Sequence, residues 1–260
     1  MRRSRNNHRE NKAKKLILPI KFLAIIIALV VFVVYLSGAW QKLRNSDFFK
    51  IKEVLFRGNV GVDLSFLKGE NLLSLDIKKE SEYIAGLSSD VKSVRLVRVL
   101  PDRLFVDFTK RSALAVVKLY RYFCVDSDGV LFDCRKEELD SGLVMILGLD
   151  TKIFGPKPGR QYNIKELNLA LQIIREVKSK LPAQAFKITE VNVSSPDNTY
   201  FMLSCAQGNI IQVKVGRNYM RDKITILDSL IHQQKGSLGN IKYIDLRFKE
   251  PAIKFKDAKQ

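Results

Sequence analysis

The stretch Phe22–Ala39, FLAIIIALVVFVVYLSGA, carries no charged residue. A helix rises about 1.5 Å per residue, so this run extends about 27 Å, close to the hydrocarbon thickness of a bilayer. Tyr35 and Trp40 mark its far end, where amphipathic rings favour the membrane–water interface. Before it stand Arg2, Arg3, Arg5, Arg9, Lys12, Lys14, Lys15 and Lys21 against one acid, Glu10. The positive-inside rule therefore puts the N-terminus in the cytoplasm and everything after about residue 40 outside. Ser37-Gly38-Ala39 is a small-x-small triplet of the kind signal peptidase cuts. The apolar run is longer than a signal-peptide core, about seven to fifteen residues, which favours a retained anchor. Residues 1–21 read as a basic cytoplasmic tail, without apolar periodicity and disordered, and 22–40 as the transmembrane helix, in contact with lipid along Phe22–Ala39.

The formal net charge is +18 over 260 residues. Eight bases minus one acid give the tail +7, which leaves +11 for the exported part. Such a balance ordinarily raises nucleic acid as a partner. The topology excludes it, because the basic part faces away from the cytoplasm. Three cysteines, Cys124, Cys134 and Cys205, do not make a disulfide scaffold. Cys124 and Cys134 bracket the turn Asp126-Ser127-Asp128-Gly129. In a hairpin centred on Gly129 they would face each other; a disulfide and two buried free thiols both fit this spacing. No metal-ligand spacing and no cofactor motif is present. G-x-S-x-G and H-E-x-x-H are absent, and only His232 lies beyond the anchor. The expectation is a protein that is not an enzyme.

Beyond the connector Gln41–Asp47 a β-like run, Phe48–Phe56, stops at a Gly58-Asn59 turn. Asp63 can cap a short helix through Leu67, and Ile77–Leu87 has helical spacing. Val91–Leu100 and Leu104–Lys110 alternate as two strands joined by Pro101-Asp102-Arg103. The order is β-α-α-β-β, two helices on one face of a three-stranded sheet. Then come β-rich runs over 113–132, an apolar Leu143–Leu149, and a helix capped by Asn163 with Glu166 three residues on. Strands follow at Ile188–Val193, Tyr200–Cys205 and Ile210–Val215. Met220–Ile231 is a further helix, before strands Ile241–Phe248 and Ala252–Phe255. Alternation in Tyr243–Phe248 sets Ile244, Leu246 and Phe248 on the buried face. Pro251 beside the last strand marks a sheet edge. The fold class is α+β: a single N-terminal transmembrane helix, a β-α-α-β-β domain, then a mixed domain with a mostly antiparallel sheet and two flanking helices.

Five segments, in order, carry a resemblance. They are the strand ending at Gly58-Asn59, Asn71-Leu72-Leu73-Ser74-Leu75-Asp76, and the hairpin Val97-Arg98-Val99-Leu100-Pro101-Asp102-Arg103-Leu104-Phe105-Val106. Val125-Asp126-Ser127-Asp128-Gly129-Val130-Leu131-Phe132 and Tyr243-Ile244-Asp245-Leu246-Arg247-Phe248 complete the set. From about 48 to 256 the chain resembles the FtsQ/DivIB family of cell-division proteins. It departs at Lys110-Arg111-Ser112-Ala113-Leu114-Ala115, where the family has E-R-x-P-x-A.

The resemblance implies a POTRA domain over 48–118 and an FtsQ-type β domain over 119–256. It implies a non-enzymatic scaffold of the bacterial divisome, at the septum in the cell inner membrane, with periplasmic or extracytoplasmic C-terminal domains. It implies partners of the FtsB and FtsL type and other divisome membrane proteins. The carried-over FtsB contact falls on Tyr243, Asp245, Arg247 and Phe248, then Ala252, Ile253, Lys254 and Phe255 of the terminal strands. A recruitment contact falls on Val91, Val94 and Arg98. The competing reading is a POTRA-type peptide-binding component of outer-membrane protein assembly or secretion. Those systems usually repeat the domain or add a β-barrel, and no second β-α-α-β-β copy is found here.

Overall fold

Hydrophobic content and helix propensity together extend the apolar run well beyond its own ends. The computed structural model of the chain describes residues 6–44, 46–58, 61–206, 208–234 and 236–256. Helix α1 spans Asn6–Arg44. Within it Ile25–Leu43 is long and apolar enough to cross a membrane, and none of that window is buried. The expected disorder of the tail is corrected over 6–21. Once the apolar turns are formed, adding residues needs no new nucleus, and Lys, Arg and Glu propagate a helix well. Residues 1–5, Asn59 of the expected Gly58-Asn59 turn and Gln207 of a later connector lie outside the described residues.

The chain packs as two compact units, Met1–Arg57 with Gly61–Glu80 and Arg95–Asp107, and Gly58–Val60 with Ser81–Val94 and Phe108–Gln260. After a 3-10 turn at Asp47–Phe49 comes β1, Glu53–Arg57. The short helix expected after Asp63 is a single 3-10 turn, Ser65–Leu67, and Asp63 Oδ1 accepts from Ser65 N at 2.9 Å. Helix α2, Ile77–Gly86, buries Ile84. Strands β2, Val91–Val99, and β3, Arg103–Lys110, complete a three-stranded sheet in the order β1-β3-β2. β1 runs parallel to β3 with Glu53 opposite Arg103. In β3 the alternate residues Leu104, Val106 and Phe108 are buried, the period of a strand covered on one face.

The second sheet has nine strands. They are β4, Ala115–Lys118; β5, Tyr122–Val125; β6, Leu131–Asp133; and β7, Val144–Leu147, which follows α3, Lys136–Asp140. After α4, Lys165–Lys180, come β8, Phe186–Asn192; β9, Tyr200–Cys205; and β10, Ile210–Lys214. After α5, Met220–Gln233, come β11, Ile241–Asp245, and β12, Ala252–Phe255. Their spatial order is β12-β11-β10-β9-β8-β7-β4-β5-β6. β4, which a division at 118/119 would leave with the first domain, pairs here with β5 and β7. β7 to β8 and β10 to β11 are parallel. Parallel neighbours need a crossover, and α4 and α5 are those crossovers. Their apolar stripes, Leu167, Leu171, Ile174 and Val177, and Met220, Ile224, Leu227 and Ile231, join one core with Ile146, Val191, Phe201, Val213 and Ile244. On the opposite face, Val116, Cys124 and Phe132 form a small separate cluster.

Two local expectations are corrected. Helix α4 begins at Lys165, one turn position after Asn163 could cap it; Asn163 Oδ1 instead accepts from Asn168 Nδ2 at 2.6 Å. Cys124 and Cys134 are joined as a disulfide, but Cys124 stands opposite Phe132, so the bond runs diagonally across the hairpin. Cys205 is free and buried.

Gly148, after β7, has φ +85°, and a Cβ there would lie 2.4 Å from Ser194 N. Gly208 has φ +81° with open space around it. Left-handed backbone alone costs an L-residue about 1–2 kcal/mol. Gly208→Ala should lose about that much stability. Gly148→Ala should lose clearly more, because backbone must also move. Denaturant unfolding of both variants checks this, and equal losses would contradict it.

Candidate partner-binding edge

A strand inside a sheet has its main-chain groups paired on both sides, whereas an end strand presents one row to solvent. The nine-stranded sheet ends at β6 and β12. At β6 the row is covered: Leu131 N donates to Arg160 O at 3.1 Å and Gly159 N to Leu131 O at 2.7 Å. At β12 the inner side pairs antiparallel with β11, Ile244 opposite Ile253 and Asp245 opposite Ala252. Lys256 N donates inward to Asn240 O at 2.7 Å. Strand alternation then turns the amides of Phe255 and Ile253 to the open side.

The corner before this edge is built on Asp245. Its Oδ1 accepts from Arg247 N at 3.1 Å, an Asx turn that ends β11. Arg247 Nε and Nη2 reach the same carboxylate at 2.9 and 2.7 Å, and Nη1 donates to Asn198 Oδ1 at 2.6 Å. Asp245 is 6% exposed. Burial is the largest single influence and pushes its carboxyl upward, yet the hydrogen bonds from the Arg247 side chain and amide and the charges of Arg247 and Lys214 outweigh it, so the group titrates below the ordinary carboxylate value. Burial pulls the Lys223 amine down, opposed by the charge of Asp245. Lys223 Nζ donates to Val215 O at 2.5 Å.

The expected contact residues fall on this corner and edge. Tyr243 is half-buried with Lys214 Nζ 4.4 Å from its ring centre. Ala252 and Lys254 are exposed, Ile253 packs against the core, and Phe255 is 44% exposed. Phe248 is corrected. It is 65% exposed, because the Asx turn takes the chain out of the alternation that buries Ile244 and Leu246. Arg247 Cζ lies 5.5 Å from its ring centre. Beside the edge is an open cavity of about 730 Å³ lined by Tyr219, Ile226, Leu246, Arg247, Phe248 and Pro251. Tyr219 and Ile226 escape a reading by periodicity. Ile226 lies off the stripe of α5, which is the signal that could have found it, and Tyr219 holds a left-handed conformation at φ 54° before the helix.

Val91, Val94 and Arg98 are on β2, an end strand of the smaller sheet. Val91 is 2% exposed, so its side chain offers no surface for contact. Arg98 is committed internally: Nε donates to Leu72 O and Nη2 to Leu75 O, each at 2.7 Å. The grouping of Cys124, Cys134 and Glu138 that could suit a metal has both sulfurs already joined to each other.

The family description "Cell division protein FtsQ/DivIB, C-terminal" matches residues 113–247, 135 of 260 positions. The chain belongs to the FtsQ/DivIB family. Similar relatives include the cell division protein FtsQ of Syntrophotalea carbinolica, 25% identical over 228 residues, 84% of this chain and 77% of that one. FtsQ of Geotalea daltonii is 23% identical over 225 residues, covering 83% and 79%. The cell division protein DivIB of Clostridium botulinum is 24% identical over 128 residues, covering 46% and 50%. The α+β architecture with an apolar N-terminal helix fits a single-pass membrane anchor of the FtsQ family. The matched FtsQ/DivIB segment stops at Arg247, so β12 lies just past it.

A group whose folded titration point is depressed stabilises the fold above its unfolded value, about pH 3.9 for Asp, and loses that contribution as pH falls through the folded value. Asp245→Asn should therefore cost about 1.5–3 kcal/mol at neutral pH, the range for hydrogen bonds to a charged group. The difference from wild type should shrink on acidification. Denaturant unfolding at neutral and strongly acidic pH measures both; a difference independent of pH would refute the role of the charge.

Proposed function

We propose that this chain is a non-enzymatic, single-pass scaffold of the bacterial divisome that captures partner chains by strand addition at β12. The observation that carries the reading is the contrast between the ends of the large sheet: β6 is covered by main chain, and among the described residues no segment pairs with the outer side of β12. An added strand gains main-chain hydrogen bonds, and pockets beside it select alternate side chains. Phe248, Tyr219 and Ile226 around the neighbouring cavity supply that selection. The partners are division proteins of the FtsB and FtsL type, themselves membrane-anchored.

In this reading the basic N-terminal segment is cytoplasmic and both sheets are extracytoplasmic, at the septum. The three-stranded sheet with α2 is the POTRA domain, and the FtsQ-type β domain starts near Ala113. Septal placement and the identity of the partners rest on family membership, and the mode of capture rests on the edge.

Proline removes an amide donor and is tolerated at strand edges where that donor faces solvent. Phe255→Pro should leave thermal unfolding nearly unchanged and weaken capture of co-expressed FtsB and FtsL by up to about tenfold, the loss of one hydrogen bond. Affinity purification from solubilised membranes reads this; full capture by a folded variant would sink the edge reading.

A further inference from the structure

The three-stranded sheet has one end that the connector from α1 holds close to the membrane. Leu43 ends the apolar span and Phe48 lies five residues on. A fully extended chain of that length reaches at most about 17 Å, so Phe48 stays within the depth of a headgroup layer and its hydration. The chain then enters β1 at Glu53. β1 and β3 are parallel, so both start at this end, and so does the turn between β2 and β3. That placement is fixed by contacts: Lys52 N donates to Asp102 O at 2.9 Å and Lys52 Nζ lies 3.1 Å from the Asp102 carboxylate. The apex of the turn is apolar. Leu100 is 61% exposed, with exposed Pro101 beside it, and Phe48 at the same end is 63% exposed.

An apolar apex at a sheet end needs a reason, since turns ordinarily carry polar residues. Its acids are neutralised: Asp47 pairs with Lys50 at 2.7 Å, Glu53 with Arg103 at 3.1 Å, and Asp102 with Lys52. Lys42 and Arg44 add two further cations in the connector region. Five bases against three acids leave the end at +2. Exposed apolar side chains at an end with net positive charge, held near a bilayer, match the chemistry of an interfacial membrane contact.

We propose that Leu100 and Phe48 dock the first unit onto the bilayer that carries α1, with Leu100 entering the headgroup–acyl boundary and the unpaired positive charge of the connector, Lys42 included, drawn to anionic lipid phosphates. This rests on α1 crossing a membrane and is independent of strand addition at β12. The contact fixes the height and tilt of the first unit over the lipid and converts a flexible tether into a second attachment point.

The full chain contains a single tryptophan, Trp40. In a Trp40→Phe background, Leu100→Trp reconstituted into phosphatidylethanolamine–phosphatidylglycerol vesicles places an indole at the apex. Docking predicts blue-shifted emission relative to urea-unfolded chain and quenching of about twofold or more by lipids brominated near the glycerol end of the acyl chain, the depth an interfacial side chain occupies. Adding Phe48→Asp should reverse much of that quenching. As a second probe Leu100→Cys, labelled with a bimane after folding, should be quenched by nitroxide lipids, since Cys205 is buried and does not compete. Vesicles contain no other protein, so quenching identifies lipid as the occupant. Emission at the fully hydrated position with no lipid quenching by either probe would overturn the proposal.

Discussion

Main-chain amides and carbonyls at the two ends of the nine-stranded sheet must find partners or stay in water, and the rest of the large unit is arranged around how each end meets that demand. At one end the segment 159–161 lies along β6 and closes the row, with Val130 also bridging to Gln161. At the other, β12 pairs with β11 on one side, and its outer side has no partner strand among the described residues. Features that keep such an edge from indiscriminate pairing are present: it is short, Pro251 precedes it, and Lys254 and Lys256 flank Phe255. The edge is thus open to a designated strand and poor for a second copy of itself, because like charges would meet.

Two buried carboxylates hold the ends of this sheet in place. Asp126 accepts from Asp128 N and Val130 N, each at 2.9 Å, and from Arg111 Nη1 at 2.6 Å, which shapes the β5–β6 hairpin. Asp245 does the same for the turn out of β11. In both, one side-chain oxygen does the work of a backbone acceptor in an Asx turn while an arginine supplies the opposing charge. Neither partner can be truncated cheaply, since removing the arginine leaves a buried charge without compensation. Arg111 Nε is buried and has no hydrogen-bond partner among the described residues. The bidentate option is therefore used at Asp245 but not at Asp126.

The local elements are legible in local residue patterns. Alternation located β2, β3, β9, β10 and β12 to within a residue or two, and the stripes of α4 and α5 located their buried faces. What could not be read was pairing between distant segments. β1 beside β3, β4 beside β7 and β10 beside β11 are parallel and non-local, and side-chain period says which face is buried, not which strand is next. At the candidate site the alternation of Tyr243–Phe248 predicts one strand through Asp245, but an Asp can accept from the amide two residues on and end the strand. That places Phe248 at the mouth of a cavity instead of in the core. Similarly, Asn163 has the chemistry of a helix cap but found Asn168 first. Val91 reads as an edge residue by position, yet it is buried.

A four-residue edge supplies few hydrogen bonds, each worth about 0.5–1.5 kcal/mol net, and an added strand must lose chain entropy to make them. In dilute solution such pairing would be weak. Anchoring both chains in one membrane changes this, because partners confined to a thin layer meet at an effective concentration far above their bulk value. The gain depends on height: a tether that lets β12 wander perpendicular to the membrane dilutes it again. A second attachment through Phe48 and Leu100 limits that wandering at the root of the exported region. Weak, reversible capture then becomes specific to chains presented at matching height, and free peptide with the same strand sequence competes poorly. Under strand addition at β12, the apolar helix would enter the energetics of capture by setting the layer in which the partners meet.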